Sequence, residues 1–266
     1  MAAVPVESQN NRCKKVRKGR RRKKVTDTSP DNWEKPQKIL VILAHPDDPE
    51  FFCGATLAKW AREGHEIHYC LLTCGDKGSS DPDTNPDALC GERVEEQKAA
   101  ASVIGARSVK FLGYSDGYVV PDLDMRREVV RVIRTVKPDV VVTCDPTTLY
   151  PGGTRVNHPD HRAAGQVVID AIFPASQNPL YFQELITEEG LEPHQVREVW
   201  ISLTHEPNVT LEVTDYWEVK LHALLEHKSQ IGDPEKFSER MRSRHTTDST
   251  LQNPRYEEHF RRLVLV

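Results

Sequence analysis

The sequence predicts an α/β fold: a mostly parallel sheet with helices on both faces, forming a single domain over residues 37–266. Three observations carry that prediction. Four short apolar runs alternate with stretches of helical spacing, the pattern of successive βα units. The runs are apolar throughout, as strands buried on both faces are. A chain of 266 residues is also long enough to bury a substantial core.

The elements follow in order. KILVILA (Lys38–Ala44) is the first strand, and Gly54 to Glu63 has helical spacing with Gly64 where a C-cap belongs. EIHYCLLT (Glu66–Thr73) is the second strand, and a loop rich in Gly, Asp and Pro then runs to Leu89. Glu92–Ile104 is helical and Gly105 closes it; SVKFLG (Ser108–Gly113) is the third strand. Leu123–Val136 has helical spacing that stops at Lys137-Pro138, before DVVVTC (Asp139–Cys144), the fourth strand. A helix is expected over His161–Phe173, strands over EVWISL (Glu198–Leu203) and VTLEV (Val209–Val213), and a mostly helical tail from Tyr216. Trp60 and Trp200 fall in periodic apolar segments and belong to the core.

Charge divides the chain in two. The formal net charge is −4, yet residues 1–24 hold ten Lys or Arg, all between Arg12 and Lys24, against one acid, Glu7. That segment carries +9 and leaves −13 for the other 242 residues. Residues 1–36 lack apolar periodicity and are expected to be a disordered basic arm. Nucleic-acid binding through residues 12–24 is the reading from a different functional class. The acidic body and the absence of aromatic residues among the basic ones count against it. Mean hydropathy is −0.58 and no apolar run approaches the length of a membrane span, which excludes a transmembrane helix. No apolar stretch follows the basic run, so a secretory signal is not expected. The six cysteines lack CxxC spacing, which excludes a four-thiolate zinc ribbon. Cys53, Cys70, Cys74 and Cys144 lie in or beside apolar segments and are expected to be buried free thiols of a cytoplasmic protein.

In open α/β sheets, ligands bind outside the carboxyl ends of the strands. Two loops there share a tripeptide: AHPDDPE (Ala44–Glu50) after the first strand and NHPDHR (Asn157–Arg162) after the fourth. Each His-Pro-Asp is followed by a further metal-ligand type, Asp48 in one and His161 in the other. His45, Asp48 and His161 make a two-histidine, one-aspartate set that suits a catalytic zinc, with Fe2+ as the other candidate. Such an ion lowers the pKa of a water from 15.7 to about 7. Asp47 is then free to act as general base. His158, held by Asp160, is expected to stabilise an oxyanion or protonate a leaving amine. Pro46 and Pro159 are each expected to place their motif at a helix N-terminus.

These two signatures resemble those of the LmbE-like (PIG-L) N-acetylglucosaminyl deacetylases. The resemblance extends to CGATLAKWAREGHEI, TCGDKG, ERVEEQKAAA, KPDVVVTCDP, EHKSQ and the terminal FRRL, and covers Lys38 to Leu263. It implies a Rossmann-like sandwich and zinc-dependent hydrolysis of an N-acetyl group from a GlcNAc-type amino sugar or conjugate. It also implies a homo-oligomer. Carried over, it makes His45, Asp48 and His161 the zinc ligands, Asp47 the general base, and His158 with Asp160 the acid. Arg93 resembles a substrate-facing arginine of the family, and His227, in EHKSQ, is assigned to packing. Two departures stand out. Some members carry a tyrosine two residues before the first histidine of the second signature, where this chain has Val156; Tyr118 and Tyr150 are the candidate substitutes. The basic arm is not a family feature. Within the enzymes, an amidase acting on a sugar–cysteine conjugate is the alternative.

Overall fold

The computed structural model describes residues 30–265. The basic run Arg12–Lys24, and the nucleic-acid contact read from it, lie outside the described residues. From Lys38 the chain alternates: β1 (Lys38–Leu43), α1 (Asp48–Arg62), β2 (Glu66–Thr73), α2 (Pro86–Ile104), β3 (Ser108–Tyr114), α3 (Leu123–Val136) and β4 (Val140–Cys144). Next come α4 (Pro159–Asp170), a wider turn over Ala171–Ser176, a one-turn α5 (Glu184–Thr187), β5 (Glu198–Ser202) and β6 (Val209–Glu212). The chain ends in α6 (Trp217–Leu225), α7 (Pro234–Arg242) and β7 (Glu257–Val264).

The strands form one sheet in the order β3-β2-β1-β4-β5-β7-β6. The first five in that order are parallel, and β7 runs antiparallel to both β5 and β6. Alternate side chains of β1 enter two different cores, as the pleat requires. Ile39, Val41 and Leu43 pack with Trp60 of α1, Ile104 of α2 and Leu221 of α6. Leu40 and Ile42 pack with Val129 of α3 and Val168 of α4. Helices cover both faces, which is why every β1 residue after Lys38 is buried. The expected fold class holds.

The strand order reverses between β1 and β4, and the crevice at their carboxyl ends is where such sheets bind ligands. Here α4 approaches β4 so closely that a Cβ at Gly165 would stand 2.3 Å from the Cys144 carbonyl oxygen. That contact draws the start of α4 in against the crevice.

Several expectations are corrected. The tail is not mostly helical: β7 (EEHFRRLV) buries Glu258 and Phe260 while its other side chains face outward in whole or part. Its period of two is masked by charged residues on the exposed positions. α1 begins at Asp48 rather than Gly54, with Asp47 as N-cap, Pro49 in the first turn and a kink at Cys53 (φ −151°). α2 begins at Pro86, where Asn85 accepts the backbone N–H groups of Asp87 and Ala88. Cys74 is not a free thiol but is bonded to Cys90, because the loop after β2 returns the start of α2 onto that strand's end, with Cα atoms 5.1 Å apart. Cys53, Cys70 and Cys144 are free and buried. A disulfide is uncommon in reducing compartments, so the cysteines no longer argue for the cytoplasm.

Residues just before the expected domain start are packed too. Trp33 stands edge-on to Trp60, His65 and Trp200, and its indole N–H donates to Glu198. No described helix is long and apolar enough to cross a membrane.

Candidate active site

The two His-Pro-Asp loops meet in the crevice. In the first, Asp47 has φ 82°, a left-handed value that Asp tolerates better than most non-glycine residues. The turn places Asp48 at the first position of α1, beyond Pro46, so Pro46 does not open the helix as expected. In the second loop Pro159 does open it, with His158 as N-cap.

The ring centroids of His45 lie 4.6 Å from His158 and 5.2 Å from His161. Asp48 stands between two of these rings. Its Oδ1 is 3.0 Å from His161 Nε2 and its Oδ2 is 3.4 Å from His45 Nδ1. That same Oδ2 accepts the His45 backbone N–H at 2.8 Å. His45 Nε2 faces Asp116 Oδ1 at 3.1 Å and Asp160 Oδ2 at 3.3 Å. The donor atoms of His45, His158 and His161 all lie within 4.8 Å of one another, as do those of His45, Asp116, His158 and Asp160. The structure therefore brings His45, Asp48 and His161 together, and it crowds His158 and Asp116 into the same cluster.

Electrostatics favour positive charge there. Burial opposes the charge of His45, but the bonded carboxylates of Asp116, Asp160 and Asp48 outweigh it and push its pKa up to about 12. Burial also works against the Asp48 carboxylate, yet His161 and His45 hold it well below the ordinary range. A buried imidazole ringed by carboxylates is a place for an imidazolium or a metal ion. Two imidazoles flanking one carboxylate form a donor set that zinc or iron accepts. The residues fit a divalent metal.

Asp47 is braced from behind. Its backbone N–H donates to Gln97 Oε1 at 2.9 Å. The Gln97 amide nitrogen donates in turn to both Glu50 oxygens, at 3.2 and 3.1 Å. His227 Nε2 lies 3.2 Å from Glu50 Oε2. Glu50, Gln97 and His227 are all fully buried. Burial, then the neighbouring Asp48 charge, push Asp47 above the ordinary carboxylate range, against the opposing pull of Arg93 and His227. Burial opposes the charge of His227 too, but Glu50 outweighs it and raises its pKa. The EHKSQ histidine thus does more than pack.

Arg93 is 4% exposed. Its guanidinium donates to the carbonyls of Gly75 (3.0 Å) and Pro46 (2.9 Å) and lies 3.4 Å from Asp47 Oδ2. It crosses Gly75 so closely that a Cβ there would meet it at 2.1 Å, and Gly75 also has φ +70°. The structure sets Arg93 against Asp47 rather than toward solvent.

Asp160 differs from expectation as well. Its carboxylate accepts the N–H groups of Gly117 (2.7 Å) and Val119 (3.3 Å) and faces His45, not His158. What reaches His158 is the Asp160 backbone N–H, donated to Nδ1 at 3.3 Å. That bond leaves the ring proton on Nε2, which points toward Asp116 Oδ1 at 4.0 Å. Burial, reinforced by His45 and His161, pushes the His158 pKa below its ordinary value. An imidazolium was expected here, and burial with the two neighbouring imidazoles works against that charge. Tyr118 and Tyr150 are 72% and 59% exposed, and Tyr118 lies under Lys77.

Three further residues pack into or behind this cluster. Asp116 follows β3, on the edge where ligands are expected, and that position was the available signal. Glu50 belongs to the first motif but had no assigned role. Gln97 shares α2 with Arg93, one turn further on, and only the packing of α2 against the first loop reveals it.

The fold and this cluster define a doubly wound α/β protein with a metal-competent His/Asp centre. The family of GlcNAc-PI de-N-acetylases, PIG-L, matches residues 40–172, and the chain belongs to that family. It is 35% identical to diacetylchitobiose deacetylase of Thermococcus kodakarensis over 197 residues, 74% of this chain and 71% of the relative. It is 26% identical over 236 residues, 74% of this chain and 81% of the relative, to 1D-myo-inositol 2-acetamido-2-deoxy-alpha-D-glucopyranoside deacetylase of Actinosynnema mirum. Among solved structures, N,N'-diacetylchitobiose deacetylase from Pyrococcus horikoshii superposes with a TM-score of 0.78 at 28% identity, covering 90% of this chain and 87% of that one. These homologues are deacetylases of GlcNAc-type sugars.

Proposed function

We propose that the protein is a zinc-dependent hydrolase that removes an N-acetyl group from a GlcNAc-type conjugate. The observation that carries the reading is Asp47, a braced carboxylate with a raised pKa, held one residue from the His45–Asp48–His161 set. His45, Asp48 and His161 would hold the ion, which when bound supplies a Lewis acid for the amide carbonyl and a more acidic water. Asp47 accepts the proton of the attacking water, and a base whose pKa lies closer to neutral than an ordinary carboxylate's suits that task. His158 donates its Nε2 hydrogen to the carbonyl oxygen as negative charge develops there. A C–O bond forms, the amide C–N bond breaks, and Asp47 returns its proton to the departing amine. The products are acetate and a free amino sugar. Arg93 and Gln97 keep Asp47 aimed by fixing the loop around it.

The test is acetate release from a panel of N-acetylglucosamine conjugates, a sugar–cysteine conjugate included, with and without chelator. Acetate from at least one amino-sugar conjugate, lost with chelator and restored by Zn2+, is the expected result. Chelator-insensitive turnover, or cleavage of the thiol conjugate alone, would contradict the reading.

A further inference from the structure

Helix α1 is broken at Cys53, whose φ of −151° and ψ of 18° are not helical. The break turns Asp48–Phe52 off the line of Gly54–Arg62. That short first segment carries much of the site. Asp48 stands between His45 and His161, Glu50 backs Gln97, and the Phe52 ring lies 5.2 Å from that of His161.

An ion pair is built into the break. In a continuous helix the Ala55 N–H donates to the Phe51 carbonyl and that of Thr56 to the Phe52 carbonyl. Here the N–H groups of Ala55 and Thr56 donate to Glu258 Oε1 and Oε2, at 3.2 and 2.8 Å. The Phe51 carbonyl accepts Lys220 Nζ at 3.0 Å, and the same nitrogen donates to Glu258 Oε1 at 2.7 Å. Both side chains are 4% exposed. The stem of Lys220 crosses α1 at Gly54, where a Cβ would stand 3.3 Å from Lys220 Cγ.

Stability alone does not require this pair. Taking both charges out of water is costly, and apolar side chains of similar size usually serve a core as well or better. An unbroken helix would also satisfy its interior backbone groups with no side chain at all. What the pair supplies is a fixed break. The Glu258 carboxylate binds the N–H groups that open the second segment, as a capping acid does. The Lys220 ammonium binds a carbonyl of the first segment. Both contacts are charge-assisted, and each partner is anchored elsewhere, Lys220 in α6 and Glu258 in β7.

We infer that Lys220 and Glu258 are positioning residues for the metal site: they hold α1 broken at Cys53 and thereby set Asp48 between the two imidazoles. The inference rests on the reading of His45, Asp48 and His161 as the ligands of a zinc deacetylase. The pair acts through the backbone of α1, five to eight residues along the chain from Asp48.

The experiment strips the full chain of metal and titrates it with Zn2+ against a competing chelator. Lys220→Met/Glu258→Leu replaces the pair by apolar side chains of similar size and removes the partners of Phe51, Ala55 and Thr56. Its metal-free form should melt near the wild-type temperature, while its Zn2+ affinity falls about 10–100-fold. On an N-acetylglucosamine conjugate that the wild type hydrolyses, the zinc-saturated variant should lose about tenfold or more in kcat with KM unchanged. Wild-type Zn2+ affinity in the folded variant would overturn the proposal, and so would a wild-type protein that binds no Zn2+. If the double variant does not fold, Gly54→Ala decides. It keeps both charges, but its Cβ presses on the Lys220 stem and alanine favours an unbroken helix. Its Zn2+ binding should weaken by about threefold with the melting temperature unchanged; undiminished binding would overturn the proposal. If no conjugate is hydrolysed, the deacetylase reading fails, and the Zn2+ affinities still decide whether the pair positions the site.

Discussion

In the first His-Pro-Asp loop the helix starts after the motif, with Asp47 as a left-handed cap. In the second it starts inside the motif, with His158 as cap and Pro159 as the first helical residue. That offset brings a carboxylate forward from one loop and an imidazole from the other. The surroundings differ in the same sense. Gln97, Glu50 and His227 form a fully buried stack behind Asp47, while His158 is partly open to solvent. In the proposed mechanism the base needs an orientation fixed before substrate arrives, and the donor to the substrate needs access. Identical tripeptides would serve both needs because the helix start decides which side chain faces the crevice.

The sharpest way to break this contrast is inside the second loop. His161→Ala should lose metal on dialysis and bring turnover below detection, since Asp48 would keep only His45 beside it. His158→Ala should keep its metal and lose about 10²–10³ in kcat, with His158→Gln, which retains an N–H donor, recovering part of that. Metal content of the two variants checks the assignment. If His158→Ala loses metal and His161→Ala keeps it, the roles of the two histidines are exchanged.

The brace behind the first loop predicts a smaller effect. Gln97→Leu removes the acceptor for the Asp47 N–H and should lower kcat by about 10²-fold, as small misplacements of a reacting group do. KM and metal content should stay unchanged. A rise in KM with constant kcat would show that Gln97 serves binding rather than the base.

The smallest effect lies away from the site. Glu198 accepts from the Trp33 and Trp200 indoles and from Arg262. Burial opposes its charge, but Arg262 and the two indoles outweigh it and hold its pKa below the ordinary value. The folded-state pKa is depressed, so the stabilisation is fully present above the unfolded value of about 4.3 and is lost as pH falls through the folded one. Glu198→Gln should therefore cost about 1–3 kcal/mol at pH 7. In thermal melts the gap to wild type should close as the pH drops below about 4. A gap independent of pH would mean that the charge contributes nothing.

Much of this arrangement was legible in the sequence, for local reasons. Strands buried on both faces, such as β1, announce themselves by continuous apolar runs, and the reversal of strand order tells where paired loops converge. His45, Asp47, Asp48, His158 and His161 were all visible in that way. Gln97 and Asp116 were not, because their importance comes from α2 and the β3 loop packing against residues distant in sequence. The partner of Asp160 was misread for a related reason: nearness in sequence suggested His158, while the N–H groups of Gly117 and Val119 hold the carboxylate elsewhere. β7 was missed because only Glu258 and Phe260 of its eight residues are fully buried. The Cys74–Cys90 bond depends on a loop closure that spacing alone does not reveal.

In the proposed mechanism Asp47 moves the proton while the metal is held by its neighbours. The direct measurement is acetate release by Asp47→Asn, with bound metal determined on the same sample. Asn is chosen because it tolerates the left-handed backbone at this position. Turnover should fall by about 10²–10⁴ with metal content and melting temperature unchanged. Turnover near wild type in a metal-loaded Asp47→Asn protein would exclude Asp47 as the base.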